Sequence, residues 1–542
     1  MIRRGIVIVH GVGRQGHGAE LDTQVEPLVE YLGTVIGYEN VQVVARAPRD
    51  ASGTARARIH LRAPGRREPL EEWEVREAWW AQIFPPTGRG VMLAWAVRAF
   101  WAVFQAAFVN VGWRNLKRVL RRDVRPQGEG VWRTAVTPAP FPAVDVLNWI
   151  VIMAGYSLVF LLGLVVVPLL YVFLLLPSFL LYPAFAQKAQ AYLVDLFVGS
   201  IAEQQGITSR YVAVADAASV VTLALKPFLD PALLEQKGRH YETVTVIAHS
   251  AGCVVSYDAL VSGAVPGWLR SARDRRLTWI TVGSGLNLGW RMHTDRHARD
   301  RAFWRRCLPG NVNWINIYAR YDPVPGGEPP RALVAALARL EPRPYVSIRV
   351  ANEDWPLSDH TSYWDNADEV TSRLVHAIGD SRLGRQSLAA LLDGSYNPES
   401  LVDRGVKRSV DHGPRHRAAV SGRRGAQIGA AAAVVGLLIG FSGTVERFGR
   451  WLSDRLSDVP PHSFWTWLRA NLPHRVPWLH VHDLPHFLLG AAMVLYALVI
   501  AGLLANLLGS LFAWLRPEPD RIPQPLAAPS SDASSAGERA DR

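Results

Sequence analysis

The sequence predicts an α/β protein with a mostly parallel sheet, helices on both faces of the sheet, and additional transmembrane helices. Uncharged β-branched segments such as Thr243 to Ala248 have the composition of strands that are covered on both faces. Segments with apolar residues at helical spacing alternate with these strands, which is typical of parallel sheets. The run from Val146 to Gln187 has no charged residue and is about twice the ~20 residues that one spanning helix needs.

The first 85 residues are interpreted as the first part of the sheet domain. Ile6 to Val9 is an uncharged strand whose apolar core is too short for a signal peptide. A glycine-rich turn, His10 to Gly13, and a helix from about Leu21 to Ile36 follow it. Three more strands are predicted, of which the last two alternate polar and apolar residues like a half-exposed edge: Val41 to Ala47, Arg56 to Leu61 and Glu72 to Val75.

The stretch from Tyr241 to Leu260 predicts a strand, an abrupt turn and a helix. Thr243 to Ala248 forms the strand, and the turn carries Ser250 between His249 and Ala251. A serine at such a corner stands clear of the sheet, while the N-terminus of the helix supplies peptide N–H groups. Acyl transfer needs this arrangement.

Further elements complete a second part of the sheet domain, residues 191–378. Strands and helices alternate here, and the loops after the strands are expected at the edge where active sites of open α/β sheets gather. The predicted elements are a helix over Leu193 to Leu225, strands at Leu277 to Gly283, Trp314 to Tyr318 and Tyr345 to Val350, a helix at Arg331 to Leu340, and a helix from Tyr363 to about Ala377.

Three residues in loops after predicted strands form a candidate catalytic triad. Serine is a weak nucleophile, so a histidine must take its proton and a carboxylate must orient that histidine. Ser250, Asp322 and His360 fit these roles in chain order. Asp354 and Asp359 compete as the acid, but a carboxylate adjacent to His360 in sequence does not easily reach around the ring.

Other histidines are weaker candidates for the base. His249 is expected to point away from its neighbouring serine, and His10 is expected to shape the turn after the first strand. His293 and His297 are held in reserve.

These motifs resemble the α/β-hydrolase superfamily of the lipase and esterase kind. Residues 248–252 match the G-x-S-x-G nucleophile elbow, except that Ala248 replaces the first glycine, and the order Ser, Asp, His is the order of the family. The resemblance implies an acyl-enzyme mechanism without metal or cofactor. It also implies that the N–H groups of Val12 and Ala251 bind the oxyanion.

The resemblance covers roughly residues 1–85 and 190–378, and the chain departs from the family in residues 86–190. These residues are interpreted as a membrane-associated insertion with a helical hairpin at 146–187. Because the sheet is built from segments on both sides, the number of crossings must be even. The alternatives are one crossing by Val91 to Val111 and one by the longer run, or a buried hairpin in a soluble protein. The arginine-rich stretch at 114–125 disfavours the first of these.

The remainder of the chain is predicted to return to the membrane. Residues 379–425 are interpreted as a basic linker, and residues 426–515 as a C-terminal membrane region with two candidate spans. Those spans are Ala426 to Phe441 and Leu488 to Leu515. The tail, residues 516–542, has the Pro, Ser and Ala content of a disordered segment.

Charge and cysteine content place the catalytic domain on the cytoplasmic side. The formal net charge is +12, but no nucleic-acid-binding motif accompanies it, so we expect membrane lipids rather than nucleic acid as partners. Two cysteines, Cys253 and Cys307, provide no disulfide framework. The predicted function is hydrolysis of an ester bond in an apolar acyl substrate. The alternative is an inactive hydrolase-like membrane scaffold or transport accessory protein.

Overall fold

A computed structural model describes the chain in segments. The described residues are 1–11, 17–34, 39–47, 54–62, 67–69, 71–80, 83, 132–135, 146–154, 211–271, 277–287, 289, 304, 306–329, 331–337, 345–379 and 415–429. The chain divides into two compact units, one of residues 1–418 with 521–542 and one of residues 419–520. The sheet and every predicted site residue belong to the first unit.

A nine-stranded sheet organises the first unit. In the order β2-β3-β4-β1-β6-β7-β8-β9-β5, the strands from β4 to β5 run parallel, and β3 is antiparallel to both of its neighbours. The strands are β1 Ile2–Val9, β2 Glu39–Ala47, β3 Arg56–Arg62, β4 Glu71–Ala78, β5 Trp132–Ala135, β6 Thr243–His249, β7 Leu277–Val282, β8 Val312–Ala319 and β9 Tyr345–Val350.

Helices cover both faces of this sheet. These helices are α1 Ala19–Thr34, α2 Tyr211–Leu229, α3 Pro231–Lys237, α4 Gly252–Val261, α5 Val265–Ser271, α6 Arg331–Leu337, α7 Pro356–Asp359 and α8 Ser372–Gly379, with a π-helical turn at Ala367–Thr371. On β1, Val7 and Val9 belong to one hydrophobic cluster with residues of α2, α4 and α6, whereas Ile6 and Ile8 belong to a second cluster with residues of α1 and α8. Because successive side chains of a strand point to opposite faces of the sheet, β1 contributes to a hydrophobic core on each face.

The strands predicted from the sequence are all present, and one further strand was missed. Residues 132–135 form β5, which pairs with β9 at the edge of the sheet. Four residues with no flanking pattern give too weak a sequence signal for a strand. The mostly parallel α/β architecture predicted from the sequence is therefore observed.

The prediction that Glu72 to Val75 lies at a half-exposed edge is wrong. β4 lies between β3 and β1, and all of its residues are buried. Its charged side chains have partners elsewhere in the chain: Arg4 Nε on β1 donates to Glu71 Oε2 at 2.7 Å, and the hydroxyl of Tyr241, just before β6, donates to Glu74 Oε2 at 2.7 Å. Although burial opposes it, the hydrogen bond from Tyr241 and the charge and hydrogen bond of Arg76 lower the pKa of Glu74.

Two helical segments fall in the predicted membrane and linker regions. Residues 146–154 open the predicted hairpin, and residues 415–429 are helical although the sequence predicted a linker up to residue 425. Within the first unit, His416 contacts the carbonyl oxygen of Ala351 at 3.0 Å, and Arg417 pairs with Glu369. These contacts and the helix-forming Arg and Ala residues explain the helix.

The described residues contain no single helix that is long and apolar enough to cross a membrane. One pair, Ala215–Leu229 with Pro231–Lys237, meets the criterion only jointly and is bent by 44°. Residues 155–187 of the predicted hairpin, residues 430–441 and 488–515 of the two predicted C-terminal spans, the stretches at 91–111 and 114–125, and the tail lie outside the described residues.

Glu77, near the end of β4, is buried at 1% exposure and accepts the Gly18 N–H at 2.6 Å. Burial, reinforced by the charges of Glu20 and Asp22, raises the pKa of Glu77 from 4.5 to about 7. The folded state holds the proton of Glu77 more tightly than the unfolded state does, so Glu77 stabilises the folded protein at low pH. This contribution to the free energy of unfolding is lost as the pH rises through the folded pKa.

We expect Glu77→Gln to remove this pH dependence. The variant should match the wild type near pH ~4 and become relatively more stable above pH ~7, by on the order of 1–3 kcal/mol. Thermal unfolding of both proteins across this pH range measures the difference. Parallel curves for the two proteins would contradict the assignment.

Candidate active site

Ser250 occupies a strained corner between β6 and α4. Its φ of 54° is in the left-handed region that residues other than glycine rarely adopt. Two backbone hydrogen bonds hold it there. The Ser250 N–H donates to the carbonyl oxygen of Val282 at 3.0 Å, and the Gly285 N–H donates to the carbonyl oxygen of Ser250 at 2.9 Å. The end of β7 therefore fixes the corner from the side.

Close backbone approaches explain two of the glycines around this corner. A Cβ on Gly252 would lie 2.3 Å from the carbonyl oxygen of His10, and one on Gly11 would lie 2.8 Å from Ser250 Cβ. The start of α4 and the turn after β1 thus touch without intervening side chains. This contact brings the turn that was predicted to bind the oxyanion directly beside Ser250.

The structure brings Ser250, His360 and Asp322 together, although up to 110 residues separate them. His360 Nε2 lies 3.0 Å from Ser250 Oγ, and His360 Nδ1 lies 2.9 Å from Asp322 Oδ2. A carboxylate has no proton to donate, so its hydrogen bond with His360 places the imidazole proton on Nδ1. Nε2 then has a lone pair that can accept the serine proton. Ser250 is 7% exposed and Asp322 fully buried, which keeps competing water from their hydrogen bonds.

Asp322 is held by two donors besides the imidazole. The Tyr363 hydroxyl donates to Asp322 Oδ2 at 2.8 Å, and Val324 N–H donates to Oδ1 at 2.9 Å. Tyr363 is itself oriented because its hydroxyl accepts the Ala319 N–H at 2.7 Å. Burial, then the charge of Asp322, raises the pKa of Tyr363 well above its usual value, so the phenol remains a donor.

His249 lies against the backbone of His360. Its Nε2 is 3.1 Å from the carbonyl oxygen of His360, and the two rings stack at 5.0 Å. Burial, followed by the charge of His360, lowers the pKa of His249 to about 3. The ring is therefore neutral, with its proton on Nε2, and it supports the His360 main chain.

His10 shapes the turn after β1. Its Nδ1–H donates to the carbonyl oxygen of Gly11 at 2.7 Å, and its Nε2 accepts the Trp80 N–H at 3.1 Å. Burial lowers its pKa to about 4, so the ring stays neutral and keeps both bonds. The rings of His10 and Trp80 also stack at 4.8 Å.

The competing acids have other roles. Asp359 is fully buried and accepts N–H bonds from Tyr321, Glu353 and Trp355, which ties the loops after β8 and β9 together. Burial, then the charge of Asp354, raises the pKa of Asp359 to about 8. Asp322, and neither of these residues, contacts the His360 ring.

The two predicted oxyanion donors differ in what the structure describes. Ala251 is the N-cap of α4, where the first N–H groups of a helix have no intrahelical acceptor. Val12 lies outside the described residues, as do His293 and His297. Gly11, which precedes Val12, lies against Ser250.

Sequence reasoning did not predict the supporting roles of Tyr363 and Gly283, nor that of His249. Gly283 has φ 55°, and a Cβ there would lie 2.8 Å from the Tyr363 ring and 3.1 Å from Asp322 Oδ2. The glycine pair at 283 and 285, directly after a predicted strand, was the available signal. The three-residue spacing of Tyr363 from His360 gave no comparable sign.

No family model, curated protein or solved structure matches this chain. The site is therefore interpreted from its own geometry. Within the described ranges, no group of three or more His, Cys, Asp or Glu side chains is placed to hold a metal ion. The arrangement that can do chemistry is the hydrogen-bonded chain from Ser250 through His360 to Asp322.

Replacing Gly252 by alanine should destabilise the fold, because the new Cβ would overlap the backbone of His10. We expect a loss of roughly 1–3 kcal/mol, which thermal unfolding measures. Gly267→Ala is the matched control, since a Cβ at this position of α5 meets nothing within 4 Å and alanine favours helices. Equal stability of the two variants would contradict the close contact.

Proposed function

We propose that this protein is a serine hydrolase that cleaves an ester or related acyl bond through an acyl-enzyme. The carrying observation is the hydrogen-bonded chain Ser250–His360–Asp322, with His360 3.0 Å from the serine oxygen and 2.9 Å from the carboxylate. A nucleophile, a base and an orienting acid are the parts that acyl transfer requires.

In the first half of the reaction, Ser250 Oγ attacks the acyl carbon and His360 Nε2 takes the hydroxyl proton. Asp322 stabilises the resulting imidazolium across the Nδ1–H bond. The Ala251 N–H, with Val12 as the second candidate donor, binds the oxyanion of the tetrahedral intermediate. When this intermediate collapses, His360 returns the proton to the leaving alcohol and the acyl-serine remains.

Water completes the second half. His360 Nε2 removes a proton from the water that attacks the acyl carbon, the ester bond to Ser250 breaks, and the serine regains its proton from His360. The products are one carboxylic acid and one alcohol, and no atom is oxidised or reduced.

The sheet supports the resemblance to α/β-hydrolases. Ser250 follows β6 near the centre of the sheet, and the proposed oxyanion turn follows the neighbouring strand β1. Asp322 and His360 follow β8 and β9, so the three side chains reach one edge from the carboxyl ends of parallel strands. In that superfamily the nucleophile occupies the same strand-to-helix corner.

Membrane attachment is part of the proposal and is supported by the sequence. Residues 146–187 and 488–515 contain no charged residue, and arginines cluster at 114–125 and 415–424. Anchoring on the cytoplasmic side fits this distribution.

A fluorophosphonate probe should label the wild type at Ser250 and spare Ser250→Ala. Ser256→Ala is the matched control, because Ser256 is also buried but accepts the indole N–H of Trp279 on β7 at 3.0 Å. Mass spectrometry of the labelled peptide checks the position. The same labelling of Ser250→Ala and wild type would end the proposal.

Tyr363→Phe should slow probe labelling and ester turnover roughly 10–100-fold, because a hydrogen bond to a charged group contributes about 1.5–3 kcal/mol. Removing it lets Asp322 move from the position that stabilises the imidazolium. The KM of a soluble ester should change little. The measurement is kcat and KM with a short-chain aryl ester.

Tyr257→Phe provides the control for Tyr363→Phe. Tyr257 is equally buried and donates to the carbonyl oxygen of Arg306 at 2.6 Å, away from the triad. Both variants should lose some stability, but only Tyr363→Phe should lose rate. A similar rate loss in both would assign the effect to packing alone.

A further inference from the structure

The helical segment 146–154 lies against the loops that carry the proposed triad. Asn148 Nδ2 donates to the carbonyl oxygen of Asp354 at 3.1 Å, in the loop that leads from β9 to His360. Ile152, 2% exposed, packs with Tyr321, and Trp355 joins the same cluster. Tyr321 directly precedes Asp322. The helix therefore contacts the residue next to the proposed catalytic carboxylate and the loop that leads to His360.

The other face of the same helix exposes large apolar side chains. Leu147 is 45% exposed and Ile150 is 49% exposed, and a spacing of three places them on one side of the helix. Asn148 and Ile152, four apart, share the face that is buried on the catalytic loops. The helix is thus seated on the site by one face and presents leucine and isoleucine outward with the other.

The sequence indicates what covers the exposed face. The helix opens the uncharged run from Val146 to Gln187, and the stretch before it at 114–125 is rich in arginine. A run of that length without charge is typical of a segment in contact with lipid, and basic flanks are typical of its cytoplasmic side. A surface that binds a protein partner or a second copy of the chain does not require an uncharged run of that length.

We propose that the face of helix 146–154 that carries Leu147 and Ile150 contacts the lipid bilayer, so that the edge of the sheet bearing Ser250 faces the membrane and acts on acyl esters dissolved in it. This inference rests on the proposed serine hydrolase function. A substrate of this class reaches Ser250 from the bilayer without crossing water, because the helix in contact with lipid lies beside Asp322 and the loop of His360.

The test compares two substrates with the full-length chain reconstituted in anionic phospholipid vesicles. One is a water-soluble short-chain aryl ester, and the other is a fluorogenic diacylglycerol dissolved in the bilayer. The double variant Leu147→Glu, Ile150→Glu should hydrolyse the bilayer ester roughly tenfold more slowly or worse, because two charges replace two lipid contacts. Its rate on the soluble ester should stay within about twofold of the wild type.

Leu223→Glu is the matched control, since Leu223 on α2 is 51% exposed and lies on a helix that covers one face of the sheet. It should alter neither rate. Unchanged hydrolysis of the bilayer ester by the double variant would overturn the inference.

A second measurement tests the membrane contact in case the double variant hydrolyses neither the soluble ester nor the bilayer ester. A nitroxide placed by Ile150→Cys should be relaxed by oxygen dissolved in lipid, whereas one placed by Leu223→Cys should be relaxed by a water-soluble nickel complex. Water exposure at position 150, or spin–spin broadening from a second copy, would overturn the inference. This readout needs no turnover, so it separates failure of the membrane contact from failure of the hydrolase proposal.

Discussion

The left-handed backbone of Ser250, at φ 54°, is the constraint on which the rest of the site depends. A residue with a side chain stays in this conformation only when its surroundings fix it. Here the fixing comes from backbone contacts on two sides: Val282 and Gly285 bond to Ser250, and Gly252 lies against the carbonyl oxygen of His10. The three parallel strands β1, β6 and β7 therefore hold the corner jointly, and the strain is balanced by the cores on both faces of the sheet.

The contacts that fix Ser250 do not position His360, which lies in a separate loop after β9. His360 gains this position from Asp322 at one ring nitrogen and from His249 at its carbonyl oxygen. His249 immediately precedes Ser250, so the same strand end that presents the proposed nucleophile also supports the proposed base. Tyr363 completes the arrangement by linking Asp322 to the end of β8 through Ala319. The uncharged side chains of His249 and Tyr363 thus support the hydrogen-bonded pair of His360 and Asp322.

The sequence predicted the elements and residues whose patterns are local. The uncharged strand before Ser250, the glycines after it, and loop residues such as Asp322 and His360 all carry signals within a few residues. Tyr363 and His249 were not given supporting roles, because these depend on contacts between segments that no local pattern records. β4 was misjudged for the same reason: its alternating charges indicate exposure, yet Arg4, Tyr241 and Arg76 bind them in the interior. Val12 lies outside the described residues and stays a prediction.

The pairing of β5 with β9 constrains how the chain can enter a membrane. Since β5 belongs to the same sheet as β4, any crossings by residues 79–131 must be even in number, and the same holds between β5 and α2. One crossing by Val91 to Val111 with one by the longer run does not satisfy this condition. Helix 146–154 is already committed to the catalytic loops, and residues 155–187 are fewer than the ~40 that two full spans require. For the membrane contact proposed above, an uncharged run of this length that begins with helix 146–154 therefore fits an interfacial position better than two full crossings.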